Sequence, residues 1–71
     1  MACINADGTL SGAGRFILSS IDKPITDLEL SQKIGLPLFR IRMSIREFLD
    51  AGYISQDGDK YIITERGKAK I

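Results

Sequence analysis

Three arginines, Arg40, Arg42 and Arg46, fall within the stretch 37–46, which contains no acid. A guanidinium is a permanent cation with planar donors, so it pairs in two-pronged fashion with phosphate, carboxylate or the acceptor edge of guanine. Such a cluster suggests recognition of an anion and not the making of bonds. Other chemistry is poorly supplied. The 71-residue chain has no histidine and a single cysteine, Cys3. Neither a zinc-type ligand set nor an intramolecular disulfide can be assembled from that inventory. The carboxylates are scattered over apparent caps, turns and helix ends, where structural roles suffice. Gly12 and Gly14 lack the following Lys and Ser or Thr of a phosphate-binding loop. No enzyme, cofactor or metal is therefore expected.

The elements that must position the arginines can be read from periodicity and caps. Ile41, Ile45, Phe48 and Leu49 recur at i, i+4, i+7 and i+8, which predicts a helix over 38–51 that ends at Gly52. Phe39, Arg40, Met43, Ser44, Arg46 and Glu47 then point outward, with Arg42 to one side. A shorter helix precedes it. Thr26 and Glu29 have the spacing of a capping box, with Leu28, Leu30 and Ile34 inward and Gly35 as its terminator. Leu36 and Pro37 make the turn, Pro37 fitting the first turn of the next helix. A first helix from Ser11 as N-cap to about Ser20 is expected to bury Phe16, Ile17, Leu18 and Ile21. Its glycines Gly12 and Gly14 weaken it, unless they permit close backbone packing. Residues 53–56 and 60–64 are rich in β-branched and aromatic types and read as strands, closed by Asp57-Gly58-Asp59. Residues 1–10, around the turn signal Asp7-Gly8, form either a short strand or a loose arm. Thr64 caps a last turn or two over 65–70.

One local echo stands out. Leu10-Ser11-Gly12-Ala13-Gly14-Arg15 and Ile63-Thr64-Glu65-Arg66-Gly67-Lys68 share the order apolar, hydroxyl, two residues, glycine, base. It reads as shared junction chemistry and not as a repeat.

Length allows one small domain, 1–71, and 44% hydrophobic with 27% charged residues are the values of a globular chain. Net charge is only +1, but residues 37–71 carry seven bases against five acids and residues 1–36 three against four. A local basic patch in a near-neutral chain suits specific, weak binding of a polyanion. No apolar run approaches the ~20 residues of a membrane span, and no basic-then-apolar leader opens the chain. A cytoplasmic protein off the membrane is expected.

In order, the segments resemble a winged helix-turn-helix domain of the MarR/ArsR-like kind found in prokaryotic transcriptional regulators. The resemblance is carried by Ile41-Arg42-Met43-Ser44-Ile45-Arg46-Glu47-Phe48-Leu49-Asp50-Ala51-Gly52-Tyr53-Ile54 and by Tyr61-Ile62-Ile63-Thr64-Glu65-Arg66-Gly67-Lys68. It covers roughly residues 12–70. It implies an α+β fold: a three-helix core, a helix-turn-helix over 26–51 and a two-stranded hairpin wing over 53–64. It also implies double-stranded DNA as partner, with the third helix in the major groove. Carried onto this chain, the contacts would be Phe39, Arg40, Arg42, Met43, Ser44 and Arg46 on that helix. Lys60 would contact from the wing, and Thr26 from the start of the second helix, where a phosphate is attracted. The acidic tip, Asp57 and Asp59, departs from basic-winged relatives. The chain is also smaller than such regulators, so if two copies pair, the first helix or the N-terminal segment is expected to join them. The competing expectation is a protein-interaction module or a subunit of a larger complex, which near-neutral charge and an acidic wing would also fit.

Overall fold

The computed structural model describes residues 3–71; the first two residues of the expected 1–10 arm lie outside that range. Helices come first. α1 spans Gly12–Ser19, α2 Asp27–Ile34 and α3 Leu38–Ala51. An antiparallel hairpin follows, β1 (Ile54–Asp57) and β2 (Lys60–Ile63), then a last turn, α4 (Glu65–Lys68). The chain is thus a small α+β domain in which packed helices precede a two-stranded hairpin.

Local chemistry explains the boundaries. The capping box of α2 is complete: the Glu29 amide donates to Thr26 Oγ1 at 3.1 Å and the Thr26 amide to Glu29 Oε1 at 3.0 Å. The Thr26 amide first, and the Thr26 hydroxyl after it, hold the Glu29 carboxyl below its ordinary range. Gly35 and Gly52 end α2 and α3 at φ +75° and +79°, a left-handed conformation that only glycine takes without strain. In the hairpin, Asp57 pairs with Lys60 and Ile54 with Ile63, leaving Gly58 and Asp59 as the loop.

The echo between the two Gly-containing junctions proves to be one structural device used twice. Ser11 caps α1 by accepting from the Gly14 amide, and Thr64 caps α4 by accepting from the Gly67 amide. In each case the cap residue's own amide donates to a carbonyl of another segment at 2.9 Å: Ser11 to Cys3, Thr64 to Tyr53. In each case a Cβ on the glycine would overlap that same carbonyl oxygen. The missing side chain lets the helix start sit directly on the neighbouring backbone.

The core is Ile17, Leu18 and Ile21 from α1 and the loop after it, Leu30 from α2, and Ile41, Ile45 and Phe48 from α3, with Tyr53 and Ile54 at the start of the hairpin. Burying a side chain of this kind stabilises by about 1.5–3 kcal/mol. Cys3 and Leu10 join the core from the N-terminal segment, which folds back on itself through an Ile4–Leu10 bridge. Two expectations for the core are corrected. Phe16 and Leu28 are each 53% exposed. The consecutive apolar residues 16–18 cannot all face inward across a helix that turns about 100° per residue, and Ile17 and Leu18 take the buried positions. Leu28, in the first turn of α2, lies off the face set by Leu30.

Candidate functional site

Helix α3 divides cleanly. Ile41, Ile45 and Phe48 are buried, and Phe39, Met43, Arg46 and Asp50 are exposed on the opposite side, as the 3.6-residue period requires. Phe39 is 67% and Met43 55% exposed, one turn apart, so two large apolar side chains stand in solvent on the same stripe as a guanidinium. Arg46 makes no hydrogen bond or ion pair among the described residues and is free to meet an anion. Arg40 is half-buried on one flank.

Arg42 lies on the other flank. Its Nε donates to Asp27 Oδ2 at 3.1 Å, tying the middle of α3 to the first turn of α2. The hairpin is tied to the same end of α2. Ile25 and Tyr61 exchange backbone hydrogen bonds at 3.2 and 2.8 Å, adding a one-residue third strand to the sheet. Lys60, next to Tyr61, is exposed and its charge helps to depress the Glu29 carboxyl. The start of α2, the side of α3 and the start of β2 thereby form one region in which Arg42 and Lys60 alternate with Asp27 and Glu29. Thr26 sits in this region. Its hydroxyl oxygen and amide are taken by the capping box, and the two carboxylates beside it oppose an incoming phosphate.

Ser44 is a correction. Expected to point outward, it is buried, only 1% exposed. The N-terminal segment covers it: Cys3 Sγ lies 2.9 Å from Ser44 Oγ, and the Cys3 amide donates to Glu47 Oε2 at 2.8 Å. Glu47, expected to point outward, is half-buried and accepts from that amide. Burial of both polar partners is tolerable because each satisfies the other. No local pattern could have disclosed this contact, since it joins residues 41 apart in sequence.

Beside this clamp is a hollow of about 150 Å³ lined by Cys3, Phe39, Arg40, Met43, Ser44 and Glu47. It opens next to the exposed apolar pair on α3. Of the residues expected to form a binding surface, the fold therefore brings Phe39, Met43 and Arg46 onto one exposed face with Arg40 and Arg42 on its flanks. Lys60 and Thr26 are set at an adjoining edge, and Ser44 is withdrawn. Among the described residues no group of His, Cys, Asp and Glu side chains could hold a metal ion, and no helix is long and apolar enough to cross a membrane. Comparison with protein-family models, with curated proteins and with solved structures gave no match.

Proposed function

We propose that this chain is a winged helix-turn-helix protein of the MarR/ArsR-like kind, a small cytoplasmic transcriptional regulator that binds double-stranded DNA sequence-specifically. In this reading α2, the Gly35-Leu36-Pro37 turn and α3 form the helix-turn-helix, and β1–β2 is the wing. α3 enters the major groove, and the hairpin lies against the flanking backbone.

The observation that carries the reading is the outer face of α3. A helix whose partners were all within the domain would have no reason to leave Phe39, Met43 and Arg46 in solvent together. The face follows a capped helix and a left-handed glycine turn, and the hairpin is fastened to that helix by the Ile25–Tyr61 bridge. Arg46 is available for guanine or phosphate, and Arg42 can exchange Asp27 for phosphate. Near-neutral net charge implies modest affinity that weakens as salt rises.

A second reading, a protein-interaction module, is favoured by one observation: the same exposed Phe39–Met43 pair is the kind of patch a partner protein covers. Fluorescence anisotropy with a labelled mixed-sequence duplex separates the two. The DNA reading expects binding at low salt that weakens as salt rises, and its loss in an Arg42→Ala, Arg46→Ala variant that keeps its thermal stability. Binding that is absent in the unaltered chain, or unchanged in the variant, contradicts it.

A further inference from the structure

We propose that the tip of the β1–β2 hairpin modifies itself: Asp57 and Gly58 close into a succinimide that reopens as isoaspartate, while the fold holds back the matching pair Asp7-Gly8. The inference does not depend on what the hairpin binds. The chain carries two Asp-Gly dipeptides, one in the turn closed by the Ile4–Leu10 bridge and one at the hairpin tip. Glycine after aspartate favours ring closure, because no Cβ shields the following amide nitrogen. That nitrogen attacks Asp57 Cγ. The N–Cγ bond forms, the Cγ–OH bond breaks, and the hydroxyl leaves as water with the amide proton. A second water then opens the ring. Cleavage of the N–Cγ bond restores aspartate. Cleavage of the bond between the nitrogen and the Asp57 main-chain carbonyl leaves the chain running through Cβ and Cγ. One water is lost and one is gained, and nothing is oxidised or reduced.

The two dipeptides differ in what must break before the ring can close. Asp7 Oδ1 accepts from the Thr9 hydroxyl at 2.7 Å and from the Thr9 amide at 3.1 Å. The Gly8 amide, which would have to attack, donates to the Asn5 carbonyl at 3.0 Å. The Thr9 hydroxyl first, and the Thr9 amide after it, also hold the Asp7 carboxyl below its ordinary range. An ionised carboxylate has no hydroxyl to release. Asp57 and Gly58 are exposed and carry none of these restraints. Among the described residues the Asp57 carboxyl accepts no hydrogen bond and joins no ion pair, and the Gly58 amide donates to nothing. Asp57 also stands in the last rung of the hairpin, opposite Lys60. A terminal rung opens locally at little cost, which lets the carboxyl swing onto the next amide. Isomerisation adds one main-chain atom ahead of Gly58 and Asp59, so the rung no longer closes and Lys60 is displaced with it.

The test ages the full chain in heavy-oxygen water near neutral pH at physiological temperature. Every chain that has passed through the ring retains a heavy oxygen, whichever bond reopened, and peptide mapping with fragmentation assigns it to a residue. The expected result is label and isoaspartate at Asp57, accumulating at least about tenfold faster than at Asp7, the factor that one hydrogen bond to a charged group accounts for. In denaturant the two sites react at similar rates. Thr9→Val, checked for folding by circular dichroism, speeds labelling at Asp7 and leaves Asp57 unchanged. Equal labelling of Asp7 and Asp57 in the folded chain overturns the proposal, as does an unlabelled Asp57 when the denatured chain is labelled. The same preference for Asp57 in denaturant also overturns it, since neighbouring residues and not the fold then set the rates. An Asp7 rate unmoved by Thr9→Val contradicts the restraint placed on that carboxyl.

Discussion

The Cys3 thiol and the Ser44 hydroxyl lie 2.9 Å apart, both buried, where the N-terminal segment crosses the flank of α3. This contact assigns one side of α3 to the protein itself and leaves a narrower face for a partner. Ser44→Ala should cost about 1 kcal/mol in urea unfolding, the value of a buried neutral hydrogen bond. It should leave DNA affinity unchanged. An affinity loss without a stability loss would mean that Ser44 reaches the ligand after all.

Helix propensity alone says that Gly14→Ala and Gly67→Ala should stabilise α1 and α4, by up to about 1 kcal/mol each. The structure reverses the sign. A methyl group at either position meets a backbone carbonyl, of Cys3 or Tyr53, that no side-chain rotation can move away. Overpacking of this kind costs about 1–3 kcal/mol. Gly12→Ala, where a Cβ meets open space, should be neutral or mildly stabilising. Thermal melts of the three variants check this ordering, and a stable Gly14→Ala would contradict it.

The contrast marks what the sequence can disclose. Thr26 with Glu29, Gly35 and Gly52 are local signals, and each fixed an observed helix boundary. The paired junctions at Ser11–Gly14 and Thr64–Gly67 were visible as a shared pattern, but not the carbonyls that give them their purpose. Ser44 was misplaced because a polar residue on a helix flank is assigned to solvent by default, whereas the covering segment arrives from 41 residues away. Phe16 was misplaced for a different reason. Three consecutive apolar residues contain no periodicity, and only the packing of α1 decides which one is left outside.

Acid should weaken the fold through carboxylates held below their ordinary range. The Thr26 amide and hydroxyl do this to Glu29, Lys33 does it to Asp22, and the Thr9 hydroxyl and amide do it to Asp7. A carboxyl depressed in the folded state stabilises above its unfolded value, and the contribution is lost as pH falls through the folded value. Melting temperature should therefore be flat near neutrality and begin to fall below about pH 4.5, the ordinary glutamate value. Glu29→Gln retains an acceptor for the Thr26 amide but no titration there, so its acid-side decline should be shallower. An identical decline in the variant would remove Glu29 from the account.

Asp27 holds Arg42 and adds a negative charge beside the proposed interface. Exposed pairs of this kind contribute about 0–1 kcal/mol to stability. Asp27→Asn should thus melt within a few degrees of the unaltered chain while binding duplex DNA severalfold more tightly and with steeper salt dependence. Anisotropy titrations at two salt concentrations read both quantities. Weaker binding would show that the pair orients Arg42 instead of occupying it.

The central claim is that the outer face of α3 meets DNA, and an NMR titration of isotope-labelled protein with mixed-sequence duplex tests it most directly. The account predicts salt-sensitive shifts at Phe39, Arg42, Met43 and Arg46 and near Lys60, with Ile17, Leu18 and the α4 turn unmoved. Absence of shifts at low salt, or shifts centred away from α3, would contradict it.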